Sequence, residues 1–324
     1  MPHPLAQRRL YDDSGPRCAT LELIEKRTQS AFTQDQNAAR PNHQLHVPQF
    51  IRSWHLSSLD APTVAFVWCV AFAWTCNVQL PWWVLVLIPL GVWAVYIADR
   101  LLDARTAMQS SAIEQLRDRH IFHWRHRRIL APAALASALM AAWIILNLMP
   151  RTTREHDSLL AAASLLYFTR VHSGRRFFPV FSKEFLVGFL FTFGCAFPAF
   201  SRADFSHELA RWPLLIVVVC FALLAWLNCY AIDRWETHRA NASHQAVALH
   251  ALFLAAACLI GTALLAEFHP RPAALLACAA SAALLLAILD RARNRLTPIT
   301  LRAAADLALL TPAVLLSLAP LLRK

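Results

Sequence analysis

The sequence predicts an all-α integral membrane protein, about nine transmembrane helices around a central cavity. Three observations lead there. Of 324 residues, 57% are hydrophobic and 16% charged, and the mean hydropathy is +0.42, a balance that belongs to membrane-embedded chains. The apolar residues gather into nine runs, near 62–78, 80–98, 129–149, 158–171, 184–201, 213–232, 246–266, 273–289 and 303–320. Finally, 24 of the 31 lysines and arginines fall in the amino-terminal stretch and around the connections after the second, fourth, sixth and eighth runs. By the positive-inside rule, that asymmetry places the amino terminus in the cytoplasm of an inner or plasma membrane and the carboxyl terminus outside.

Residues 1–47 are polar, of mixed charge and rich in proline (Pro2, Pro4, Pro16, Pro41), and read as a partly disordered cytoplasmic tail. They contain no apolar signal-peptide core. Residues 48–324 form the polytopic domain. Its first stretch, PQFIRSWHLSSLD, mixes Phe50, Ile51, Trp54 and Leu56 with Arg52 and His55 and predicts an interfacial helix. Several of the nine runs reach the roughly 17–25 residues a spanning helix needs, and the one at 158–171 is the shortest. The net charge of +11 does not mark a nucleic-acid binder, because the basic residues sit between apolar runs without interleaved aromatics. Cys69, Cys76, Cys195, Cys220, Cys258 and Cys278 lie within the runs, where thiols act as small hydrophobes.

One short signal occurs twice. Tyr96, Asp99, Arg100 and Asp103 close the second run, and Tyr230, Asp233, Arg234 and Glu236 close the sixth. Both copies read Tyr-x-x-Asp-Arg and then a second acid, 134 residues apart. On a helix, Asp99 and Asp103 share a face, as do Asp233 and Glu236. Four carboxylates at one membrane surface suit Mg²⁺, which takes one or two carboxylates together with substrate phosphate and water. Read singly, each motif is equally an ordinary pair of interfacial charges.

These motifs, with LLYFTRVHSGRRFFPVFSKEFLVGFLFTFGCAFP after the fourth run, resemble the UbiA superfamily of intramembrane aromatic prenyltransferases. The resemblance covers roughly residues 50–320 and implies nine transmembrane helices. It also implies two cytosolic Asp-rich motifs that bind an isoprenoid diphosphate through Mg²⁺. By this likeness Asp99 and Asp103 match the closing acids of the first motif, Asp233 the central Asp-Arg of the second, and Glu236 one of its later acids. The implied reaction moves a prenyl group to an aromatic or other lipophilic acceptor. Val95 stands where the family usually has Asn, and the second motif has two acids instead of three. A divergent, non-catalytic member that binds or carries lipid is the alternative reading.

Around this core the sequence offers supporting groups. Arg170, Arg175, Arg176 and Lys183 would neutralise a diphosphate leaving group, or are plain positive-inside charge. Tyr167 would cap the same pocket or stabilise a carbocation with its ring, or pack in the core. Asn228 would add a neutral oxygen one turn before the second motif. LRDRHIFHWRHRR carries His120, His123 and His126, which read as a basic amphipathic cap against anionic headgroups; chelation by a membrane oxygenase is the weaker reading, since His-box spacings are absent. His250 and Asp306 lie inside apolar runs, where ionisable groups face a cavity or partner. Asp306 either touches an acceptor or pairs with Arg302.

Overall fold

A computed structural model describes residues 48–109, 118–155, 162, 183–203, 211–237 and 246–318. Tyr167, Arg170, Arg175 and Arg176, and most of the run at 158–171, lie outside the described residues. Every regular element described is helical: α1 Gln49–Leu56, α2 Asp60–Thr75, α3 Trp82–Gln109, α4 Asp118–Arg125, α5 Arg127–Asn147, α6 Lys183–Phe200, α7 Arg211–Thr237, α8 Ala246–Leu265, α9 Pro270–Ala292, α10 Pro298–Ala308 and α11 Thr311–Leu318.

Six described helices are long and apolar enough to cross a membrane: α3, α5, α7, α8, α9, and α10 with α11 taken together. Counting α1 and α2 as one bent span gives seven, and α6 adds a shorter apolar helix over Glu184–Phe200. The chain is thus a multi-pass protein, all-helical over the described residues. Where lipid would lie, the surface is greasy: Leu135, Leu139, Trp143 and Leu146 on α5 and Phe253, Ile260 and Leu264 on α8 are exposed, patches too apolar for a soluble surface.

Two segments differ from expectation. The first run is a 16-residue helix, α2, preceded by α1 at an angle of 87°. The bend falls at Ser57 and Ser58, whose hydroxyls serve other groups, and Ser58 takes a φ of 56°, a left-handed geometry that costs a non-glycine residue about 1 kcal/mol. The last run starts earlier, at Pro298, and breaks between Ala308 and Thr311. Its start has a proline in the first turn and Thr297 as N-cap, accepting from the Thr300 amide at 3.2 Å, each a favoured helix opening.

The interior is built on aromatic stacking between helices. Trp68 of α2 lies on Phe221 of α7 with ring centroids 3.8 Å apart, and Phe72 meets Phe221 edge-on. Leu224, Leu227, Leu275, Leu276 and Leu286 complete this core. The Trp68 indole N–H donates to the Leu309 carbonyl at 2.8 Å, and Thr311 Oγ1 to the Cys278 carbonyl at 2.9 Å. The first of these satisfies a carbonyl that the break after α10 leaves without an amide, which an apolar interior would otherwise penalise.

Candidate functional site

The two Tyr-x-x-Asp-Arg copies fold alike. Each Arg lies four residues after its Tyr on the same helix, so it reaches back over the ring: Arg100 sits 5.0 Å from the Tyr96 centroid and Arg234 5.2 Å from that of Tyr230. Arg100 is buried, whereas Asp233 and Arg234 are exposed and Asp99 and Asp103 half-buried. The first motif lies well inside α3, which continues to Gln109, instead of at the helix exit. Leu101, Leu102, Ala104 and Arg105 are good helix formers, and no Gly or Pro stops them.

The end of the second motif meets the helix that follows the first. Glu236, near the end of α7, receives Arg302 of α10 at 2.8 Å and Arg119 of α4 at 3.6 Å, and α4 follows α3 in sequence and packs against it. Glu236 is therefore held by two arginines. Arg302, an expected partner for Asp306, is engaged with Glu236. Beside it Asp290, 4% exposed, accepts from the Trp235 indole at 2.8 Å, the Ala248 amide at 3.1 Å and Arg293 at 3.1 Å. This acid ties the motif end of α7 to the first turn of α8.

Between α1, α2, α7 and α10 is a polar cluster that the sequence did not reveal. His55 of α1 places Nδ1 2.7 Å from Asp60 Oδ2 and 3.5 Å from Asp306 Oδ2. The Asn228 amide nitrogen donates to Asp306 Oδ1 at 3.1 Å, while Asn228 Oδ1 is buried without a hydrogen-bond partner. Asp60 Oδ1 accepts from the Ala61 amide at the start of α2. Among the described residues, His55, Asp60 and Asp306 are the group of three or more His, Cys and acidic side chains whose ligand atoms all lie within 4.8 Å. Asp306 was visible as a charge in an apolar run. Asp60 closed the stretch read as an interfacial helix without a role of its own, and His55 stood as one polar residue of that helix.

The basic segment contributes structure. His123 is buried; its Nδ1 bonds the Arg119 carbonyl at 2.8 Å and its Nε2 the Ser58 hydroxyl at 3.2 Å. A carbonyl only accepts, so Nδ1 carries the proton and Nε2 accepts from Ser58. Burial then lowers the pKa of His123 below its usual value, which keeps the ring neutral. His126 bonds the Phe122 carbonyl. His250, exposed on α8, lies against Trp226 and Tyr230. Lys183 opens α6.

The all-oxygen set of Asp99, Asp103, Asp233 and Glu236 has the hard-donor chemistry that Mg²⁺ takes, and the Asp99/Asp103 pair keeps its shared helical face. Glu236, with both arginines on its oxygens, would have to give up an ion pair to ligate. Compared with known proteins, the chain matches no family model, no curated protein and no solved structure.

Proposed function

We propose that this protein transfers a prenyl group from an isoprenoid diphosphate to an aromatic or other lipophilic acceptor within the membrane. The observation that supports it is the repeated motif: two Tyr-x-x-Asp-Arg copies with the same Arg-over-Tyr geometry in an apolar bundle, the second reached through Glu236 by Arg119 of the helix that follows the first. Asp99, Asp103, Asp233 and Glu236 would hold Mg²⁺, which supplies charge neutralisation for the diphosphate. Arg170, Arg175, Arg176 and Lys183 would take the charge that develops as the carbon–oxygen bond breaks, and Tyr167 would line the pocket. The diphosphate leaves with the bonding electrons, the acceptor forms the new bond to the allylic carbon, and the proton lost by the acceptor passes to solvent or the leaving group. The apolar helices suit the isoprenoid tail. In this reading the chain is a UbiA-like protein of nine spans, with the motif face and the amino terminus cytoplasmic.

A second reading has its own support. Glu236 is occupied by Arg302 and Arg119, as expected if the frame survives as a non-catalytic lipid-binding or carrier protein. Titrating purified protein in vesicles with geranyl, farnesyl and longer polyprenyl diphosphates, with and without Mg²⁺, separates them. Saturable, Mg²⁺-dependent binding that is lost in Asp99→Asn/Asp233→Asn is the transferase outcome. Folded protein that binds no chain length refutes it.

A further inference from the structure

We propose that His55, Asp60, Asp306 and Asn228 form a binding site for a first-row divalent cation of the zinc type, separate from the four motif carboxylates. The spacing is the first argument. Metal–ligand bonds of about 2.0–2.2 Å put neighbouring donors roughly 3.0–3.5 Å apart around an octahedral or tetrahedral ion. The His55 nitrogen stands 3.5 Å from Asp306 Oδ2, at that spacing, and 2.7 Å from Asp60 Oδ2, a hydrogen-bond distance that would open by a few tenths of an ångström to admit an ion. One N–H serves both oxygens only as a shared, weaker three-centre bond.

Charge is the second argument. Asp60 and Asp306 come from helices far apart in sequence, and their ligand atoms lie within 4.8 Å of each other and of His55. Asp60 is 3% exposed and the Asp306 side chain 14%. Like carboxylates this close in a desolvated place repel, and a dication between them removes that cost. The third argument is independent of the acids. Asn228, 5% exposed, has an amide oxygen with no partner while its nitrogen rests on Asp306. Turning that amide about its last bond exchanges the two atoms and would bring the oxygen to the carboxylate side, next to Asp306 Oδ1, as the candidate fourth ligand.

The donor set selects the ion. One imidazole with carboxylate and amide oxygens suits zinc or manganese; Mg²⁺ keeps to oxygen and water, and no thiolate is present to favour softer ions. The Ala61 amide on Asp60 Oδ1 orients that carboxylate from outside the site, as the supporting shell of a metal centre does. Bound there, the ion joins α1, α2, α7 and α10 at a single point.

The full chain, purified in detergent and stripped with chelator, is loaded with Mn²⁺ and examined by electron paramagnetic resonance. One Mn²⁺ per chain, displaced by equimolar Zn²⁺ and coupled to one imidazole nitrogen, is the expected result. His55→Ala should abolish the nitrogen coupling, and Asp306→Asn, which keeps the side-chain volume, should weaken binding about 100-fold or more. Asp99→Asn/Asp233→Asn should leave the nitrogen-coupled signal unchanged, since Mn²⁺ on the motif carboxylates has no imidazole ligand, so this site and the diphosphate reading stand or fall separately. No saturable binding by folded wild type overturns the proposal, as does bound Mn²⁺ without nitrogen coupling. If His55→Ala does not fold, the wild-type coupling and the Asp306→Asn affinity decide, and a coupling that persists in Asp306→Asn at full affinity overturns it.

Discussion

Replacing Asp290 with alanine should be among the most damaging single changes in the chain. Its carboxylate receives the Trp235 indole, the Ala248 amide and Arg293, and the side chain is 2% exposed. Alanine leaves two N–H donors without an acceptor and a guanidinium without its counter-ion. Each stranded buried donor costs about 1–3 kcal/mol. Arg293 is 19% exposed and recovers part of its loss from water, so the sum is about 3–5 kcal/mol. Asparagine keeps one acceptor oxygen but turns an NH₂ group toward a donor, and should cost about 2 kcal/mol. Equilibrium unfolding in mixed detergent micelles, followed by helix content, measures both. A double-mutant cycle with Trp235→Phe isolates the indole bond, and its coupling should be about 1–3 kcal/mol. Asp290→Ala within 1 kcal/mol of wild type, or a coupling of zero, would refute the reasoning.

Four further outcomes are expected. Glu236→Gln and Arg302→Ala should each lower stability by about 1–3 kcal/mol, and the double variant should cost much less than the sum; full additivity would deny the ion pair. Gly188→Ala should separate α6 from α7, because the added Cβ would stand 2.7 Å from the Trp226 backbone nitrogen; a loss of at least about 1–3 kcal/mol is expected, and unchanged unfolding would mean the helices are not that close. Trp68→Phe keeps the stack on Phe221 but strands the Leu309 carbonyl, for about 1–3 kcal/mol by the same unfolding measurement; no loss would show that carbonyl satisfied elsewhere. His123 holds a lowered pKa in the folded protein against 6.5 unfolded, so the unfolded chain binds the proton more readily; stability is retained above that value and falls as pH drops below it, by up to about 1.4 kcal/mol per unit. The melting temperature of wild type should therefore fall more between pH 7.5 and 5.5 than that of His123→Asn, and equal slopes would contradict this.

The helices were legible because their signal is local. Apolar runs longer than a turn cannot hide, and the described runs all appear as helices near their expected places. The motifs were legible for the same reason: Tyr and Arg at i and i+4 meet on any helix, so Arg100 over Tyr96 and Arg234 over Tyr230 follow from spacing. What sequence spacing cannot express is who meets whom across the bundle. Arg302 lies one turn before Asp306, which made them natural partners, yet in the fold it faces Glu236. Nothing local shows that Asp60 and Asp306 come together at His55, or that Asp290 receives the Trp235 indole. The bend before α2 was hidden too, since Ser58 gains its role only when His123, 65 residues on, is present to receive its hydroxyl.

The bond from Trp68 to Leu309 joins residues 241 apart in the chain, and this has a consequence for how the protein is made. Synthesis delivers α2 long before α10, so His55 and Asp60 leave the ribosome without their partner carboxylate. The break after α10 can close only when Trp68 of α2 is already seated to receive its carbonyl, and Thr311 needs Cys278 of α9 in the same way. Asp306 rides on that last piece. The polar cluster is thus completed by the final helices to dock, and a ribosome-stalled chain ending before Pro298 would hold every earlier span and still lack the second acid of its buried centre.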